Sequence, residues 1–398
     1  MTTYAYAKHG KYVGGDISLL PQYEKHNSPY LDEDNQPIED LIHWFIDECG
    51  WNTFRVRLFV NPDSINDPGV CQDLEYVKQL GKRIKDAGAF FMLDYHYSDT
   101  WVDAGKIQAP RVWEKCTIDQ KADSIADYTR RTLQELIAYG ATPDMVQVGN
   151  EIMYGFMGVR VHPYLDDKDD WNGFLKILKA GCDAVREVLP SAQIIIHTDR
   201  LANQQYNKFY YGKLLENGVD FDVIGLSYYP FWHGDLSTLS STVRTLRTAM
   251  PGKEIHLVET AYNYQWGPSD AVCKDWEFTK EGQASFLHDL VDTLNALDVK
   301  ALYYWFPEEC GNGKSSTVQR GWINRGLWTN GNSPHALNSR EALDAFKAFA
   351  PTTGVKDIKS AGTCNADNIY DMCGRRLYAV PEHGAYIRGN EKFLCTEK

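Results

Sequence analysis

Short apolar runs and longer stretches of helical period alternate eight times along the chain. The runs at residues 12–18, 53–59, 90–95, 145–149, 193–197, 223–227, 255–258 and 301–305 have the length of strands. Most of them are nearly continuously apolar, as a strand buried on both faces requires. Between them, residues 74–87, 118–139, 174–188 and 283–297 carry apolar side chains every three or four positions. That spacing makes one face of a helix suited to lie on a sheet. Strand followed by helix, repeated, implies a parallel sheet, either a closed barrel or a doubly wound sheet. A doubly wound sheet calls for a Gly-rich phosphate loop after its first strand. Gly14-Gly15-Asp16 is too short for one and ends in an acid. Polar residues after most strands favour an α/β (β/α)8 TIM barrel, whose chemistry sits at the carboxyl ends of its strands.

The pattern changes near residue 350. We assign residues 1–350 to the barrel and residues 351–398 to a small β-rich tail, with short strands at 369–371, 376–378 and 385–387. These lie among Gly, Pro and His, which interrupt longer elements. The tail resembles the terminal β tails of some secreted Gram-negative proteins, in which an Ile-Tyr-Asp-x-x-Gly-Arg-Arg run is followed by Gly-x-Tyr-Ile. That resemblance implies a secreted, periplasmic or cell-surface protein.

Composition narrows the function. A net charge of −13 and the absence of a basic stripe argue against nucleic acid. No stretch is apolar enough for a membrane span. The first eight residues lack a signal core, so a secretory signal, if used, lies outside this sequence. Nine cysteines show no C-x-x-C; Cys364 and Cys373 are the closest pair, and zinc spacing is missing. Gly313-Lys314-Ser315 mimics the end of a phosphate loop, but the required first glycine falls on Glu308. With 24 Tyr and 11 Trp the chain is rich in aromatics. Several of these, including Trp101, Trp113, Tyr229, Trp232 and Trp266, fall in loops where they suit sugar stacking.

The strand ends supply candidate chemistry. Glu151 closes the fourth strand and Glu259 the seventh. Two carboxylates at a barrel mouth suit the acid/base-and-nucleophile pair of a glycosidase. In Arg55-Val56-Arg57 both arginines point to one side, and a buried Arg55 needs a carboxylate partner, for which Glu259 is the candidate. A guanidinium there keeps a nucleophilic Glu259 ionised, so Glu151 is the general acid/base. Asn150 can hold a sugar 2-hydroxyl. The run Asp94-Tyr95-His96-Tyr97-Ser98-Asp99-Thr100-Trp101 offers His96, Asp99 and Trp101 to a sugar, and no metal-ligand spacing. His197 ends the fifth strand, Tyr228 is expected to donate to Glu259, Trp232 and His233 follow in the same loop, and Trp305 is a stacking floor. Ser227 lacks the Gly-x-Ser-x-Gly of a hydrolase nucleophile.

Together these runs resemble glycoside hydrolase family 53, the endo-β-1,4-galactanases (arabinogalactan endo-β-1,4-galactosidases), over roughly residues 12–345. The specific stretches are His96-Tyr97-Ser98-Asp99-Thr100-Trp101, Val148-Gly149-Asn150-Glu151 and Ser227-Tyr228-Tyr229-Pro230-Phe231-Trp232-His233-Gly234. The resemblance implies a (β/α)8 barrel of the large retaining clan, with the acid/base at Glu151 and the nucleophile at Glu259. It also implies a β-1,4-galactan substrate from the side chains of pectin. The chain departs from the family at Val102-Asp103-Ala104, after Glu151, and at Phe306-Pro307, where the family carries Ala-Asp-Pro, Trp-Pro and Glu-Pro. Those loops line outer subsites. Bacterial relatives can hold a structural calcium, but residues 265–278 lack an Asp-x-Asp array, and a calcium elsewhere stays open. We expect a monomeric retaining galactanase that requires no cofactor. A β-glucan or β-mannan glycanase and a non-catalytic glycan-binding protein are the rival readings.

Overall fold

The computed structural model describes residues 10–25, 29–162, 169–311, 324–331 and 334–349, with four short strands of the C-terminal tail. Eight parallel strands close into a barrel: β1 (Tyr12–Asp16), β2 (Thr53–Leu58), β3 (Phe90–Tyr95), β4 (Met145–Val148), β5 (Gln193–Thr198), β6 (Val223–Tyr228), β7 (Glu254–Thr260) and β8 (Ala301–Trp305). β1 pairs with both β2 and β8, so no edge remains. The principal helices are α1 (Leu41–Cys49), α2 (Leu74–Asp86), α3 (Ile118–Tyr139), α4 (Trp171–Val188), α5 (Gln204–Glu216), α6 (Leu236–Ala249), α7 (Lys280–Ala296) and α8 (Arg340–Phe349). One follows each strand.

Local signals set these elements. Asp40, Asp73, Asp170, Asn203, Asp235 and Thr279 cap helix N-termini with their side chains. Thr117 and Gln120 form a reciprocal capping box on α3, which ends at left-handed Gly140. The outward residues of the strands and the inner faces of the helices form one large core, including Phe54, Val56, Leu93, Val146 and Leu226. The barrel interior holds a separate apolar plug of Tyr12, Met92, Met145, Ile195, Val223, Val258, Ala301 and Tyr303. Alternation then lifts Arg55, Asp94, Gln147, His197 and Ser227 above that plug, toward the carboxyl ends. Gly14 permits β1 to close against β2, because a Cβ there would lie 1.7 Å from the Thr53 carbonyl oxygen.

β7 breaks the regular register. Leu226 pairs with Leu257, but Ser227 pairs with Glu259, so β7 carries one extra residue. Val258 can then pack in the interior plug while its neighbour Glu259 also reaches the mouth. Bulges of this kind re-aim side chains beside active sites.

The chain divides into Met1–Pro351 and Thr352–Lys398. In the second unit Ile369–Asp371, Arg376–Leu377, Gly384–Arg388 and Glu391–Cys395 form an antiparallel sheet. The last strand adds to the three expected. Gly313-Lys314-Ser315, Cys364 and Cys373 lie outside the described residues. No described helix is long and apolar enough to cross a membrane.

Candidate active site

A cavity of about 280 Å³ opens at the carboxyl ends of the strands. Its floor is an ion network. Arg55, fully buried, reaches Asp16 Oδ2 at 3.0 Å, Asp94 Oδ2 at 2.8 Å and Glu259 Oε2 at 3.3 Å. Three acids around one guanidinium keep it charged despite burial. Asp16 also accepts from Arg57 Nη1 at 3.0 Å, and the Arg57 guanidinium lies 4.6 Å from the Trp101 ring centre. His96 Nδ1 accepts from the Val102 N–H at 3.1 Å, which leaves Nε2 facing Asp94 Oδ2 at 3.3 Å.

The two glutamates have different surroundings. Glu259 accepts from the Tyr229 hydroxyl on Oε1 at 2.7 Å and faces Arg55 through Oε2. Burial leaves its carboxyl raised overall, though Arg55 and the Tyr229 hydrogen bond pull it part of the way back. Glu151 has no such cation. Burial, then the charges of Glu259 and Asp199, hold its carboxyl well above the usual carboxylate range. The less hindered ionisation is therefore that of Glu259, with a proton retained on Glu151. One oxygen of each glutamate and a ring nitrogen of His197 lie within 4.8 Å of one another. This trio is the one group of potential metal ligands so close together among the described residues.

The backbone at Glu151 is unusual. Its φ of 47° and ψ of 45° are left-handed, and the preceding Gly149 has φ +90°. An acidic side chain in this region is uncommon and marks a position set by its surroundings. Between them Asn150 is fixed by donating to the Val102 carbonyl at 2.8 Å and accepting from Arg55 Nη2 at 2.8 Å.

The profile of glycosyl hydrolase family 53 matches residues 12–349, nearly the whole barrel. The chain belongs to glycosyl hydrolase family 53. It is 32% identical to the arabinogalactan endo-β-1,4-galactanase A of Emericella nidulans over 76% of this chain and 87% of that one. To the endo-β-1,4-galactanase of Bacillus subtilis (strain 168) it is 27% identical, over 79% of this chain and 73% of that one. Among solved structures, the Ignisphaera aggregans family 53 catalytic domain superposes with a TM-score of 0.74 at 28% identity, covering 87% of this chain and 98% of that one. Xylanases at 10–15% identity share the fold.

Within this family 53 barrel, Arg55, His96, Trp101, Asn150, Trp232, His233 and Trp305 line the same cavity as the two glutamates. Trp232 stands half-exposed at the rim, whereas Trp305 is buried on the β8 side. His233 accepts the Tyr229 N–H on Nδ1 at 3.0 Å, and burial pushes its ring down to about 4.

Three expected placements are corrected. Tyr228 does not reach Glu259. Alternation turns it outward, where its hydroxyl donates to the Gly234 carbonyl at 2.9 Å, and the inward neighbour Tyr229 bonds Glu259 instead. Asp99 does not line the cavity; its carboxyl accepts from the Asn61 N–H at 3.1 Å and from Arg111 at 3.0 Å and 3.1 Å, tying two loops together. His197 lies fully buried beneath the site, bonded to protein on both nitrogens, and is not on the cavity wall. The acids after Pro307 are also elsewhere: Glu308 accepts from the Leu19 N–H and Glu309 from the Gly311 N–H.

Several cavity residues were not anticipated. Asp199 and Arg200 follow β5 and pair at 3.3 Å, and burial pushes the Asp199 carboxyl up to about 6. Arg325, buried, lies 5.0 Å from the Trp232 ring centre and donates from Nε to Asn263. No local pattern in the sequence marks it. Asp16 had a readable signal, an acid ending a buried strand beside Arg55.

Proposed function

We propose that this family 53 hydrolase is a retaining endo-β-1,4-galactanase that cleaves the galactan side chains of pectin by double displacement. The observation that carries it is the pair of unlike carboxyls, close enough that an oxygen of one lies within 4.8 Å of an oxygen of the other. Retaining glycosidases hold the two groups about 5–5.5 Å apart, whereas inverting enzymes need room for a water between them. In the first step Glu259 Oε attacks the anomeric carbon as Glu151 protonates the departing glycosidic oxygen. In the second, Glu151 takes a proton from water, which displaces Glu259 and restores both groups. Asn150 holds the 2-hydroxyl of the reacting sugar, and Arg55 with Tyr229 keeps Glu259 ionised. The names of the relatives support the galactan substrate.

No cofactor enters this chemistry, since a carboxylic acid, a carboxylate and water balance both steps. The enzyme is read as a monomer, since the barrel of one chain brings both carboxyls together. A polymer substrate and the resemblance of the tail support action outside the cytoplasm. The test offers galactan, β-mannan and β-glucan side by side, measures new reducing ends, and follows the first-formed anomer by ¹H NMR. Galactan cleavage with β-anomer appearing first is expected. Preferred cleavage of mannan or glucan overturns the substrate, an α-anomer overturns retention, and binding without cleavage favours a glycan-binding protein.

The pH profile should respond to Tyr229. A hydrogen bond to the charged form lowers a carboxyl pKa, so Tyr229→Phe should raise that of Glu259. The acid limb of the kcat/KM profile should therefore move to higher pH, with about a 10-fold fall in kcat/KM at the optimum. An unmoved acid limb contradicts the assigned contact.

A further inference from the structure

Ser227 and His197 are not needed as reactants, yet they form a buried chain that ends on the catalytic acid. Ser227 Oγ is 2.6 Å from Glu151 Oε1 and 2.8 Å from His197 Nε2. His197 Nδ1 is 3.0 Å from Asn150 Oδ1. Each of these contacts needs one hydrogen, and Ser227 has a single hydroxyl proton to give.

The direction of the chain can be fixed from its far end. The Asn150 amide nitrogen donates to the Val102 carbonyl, and Oδ1 accepts from Arg55, so the amide cannot be flipped. Asn150 Oδ1 is then an acceptor, and the 3.0 Å contact requires a hydrogen on His197 Nδ1. The Glu151 N–H also approaches Nδ1, but at 3.4 Å, where a hydrogen bond is weaker. Complete burial beside Arg55 keeps the ring neutral. Nε2 is therefore bare and accepts the Ser227 proton. With a proton to spare, Ser227 Oγ would donate to Glu151 Oε1 and lower that carboxyl; with its one proton committed to Nε2, the oxygen is left to accept from the protonated acid.

We infer that His197 and Ser227 are positioning residues that hold Glu151 in its protonated form, by presenting it with a hydrogen-bond acceptor in place of a donor. This rests on reading Glu151 as the acid/base. No proton passes through the chain. Glu151 gives its proton to the glycosidic oxygen, and the resulting carboxylate lacks a Ser227 donor, which also strengthens it as the base of the second step. The other charges facing Glu151 are Glu259 from β7, Asp199 from the end of β5 and Asp103 from the loop after β3. Those facing His197 are Arg55 from β2, Asp94 from β3 and His96 just after it. All of them remain when Ser227 is changed.

The test is Ser227→Ala, read through the alkaline limb of kcat/KM on galactan. Loss of the acceptor should move that limb to lower pH by about one unit. Were Ser227 instead a donor to the carboxylate, its loss would move the limb upward. An upward shift, or none, overturns the inference. A second measurement uses the unaltered protein: ¹⁵N NMR of His197 should show a neutral ring protonated on Nδ1 and bare on Nε2, and the opposite tautomer overturns it. Glu151→Gln separately reports whether Glu151 owns the alkaline limb, and the tautomer does not depend on that assignment.

Discussion

Glu259→Ala should abolish galactan cleavage, by about 10⁴-fold or more in kcat, because it removes the atom that forms the covalent intermediate. Substrate affinity should survive, since Arg55, Asn150 and the cavity tryptophans are untouched. The vacated space should also admit a small anion. With azide and an activated aryl β-galactobioside, the variant should form the α-glycosyl azide, as one displacement inverts the centre once. Substantial galactan cleavage by Glu259→Ala, or a β-azide product, contradicts its role as nucleophile. Stability should not fall much. Glu259 is one of three acids on Arg55, and Asp16 and Asp94 make the shorter contacts at 3.0 Å and 2.8 Å.

Glu151→Gln should cost about 10²–10⁴-fold in kcat/KM on galactan, the usual range for a general acid. The loss should depend on the leaving group. A sugar hydroxyl needs a proton to depart, whereas a nitrophenolate does not, so glycosylation by an aryl galactobioside should be largely spared. The alkaline limb should disappear as well, because its titrating group has gone. Equal losses on galactan and the aryl substrate, or an intact alkaline limb, contradict the assignment of the acid. The sign of that limb follows from the structure. Glu151 is active when protonated, its carboxyl is raised by burial and by the Glu259 charge, and activity falls as pH rises through its titration.

The barrel and its two glutamates were legible because both signals are local. Buried parallel strands make apolar runs, and Glu151 and Glu259 follow them directly. Side-chain contacts across strands were less legible. The sequence suggested Glu259 as the partner of Arg55, but Asp16 and Asp94 also bind it, through a register set by closing β1 against β2. The choice between Tyr228 and Tyr229 at Glu259 turns on alternation counted from the inward Ser227, which places Tyr229 inside. The bulge in β7 leaves no mark in sequence, because Val258 and Glu259 read as a strand residue and its successor. Asp99 departs from its expected place for a different reason. Its run is rich in groups that suit sugars, and loop residues use the same chemistry to bind backbone. α5 shows the limit for helices, since buried Tyr206, Tyr210 and Tyr211 stand among polar residues and blur its apolar stripe.

The division of labour between the two carboxyls is tested most directly by trapping the intermediate. The protein is incubated with a 2-deoxy-2-fluoro β-galactobiosyl fluoride, whose fluorine slows the second step, then digested and mapped by mass spectrometry. A single glycosyl adduct on the peptide containing Glu259 is the predicted result. An adduct on Glu151, or inactivation-free turnover with no adduct at all, contradicts the account.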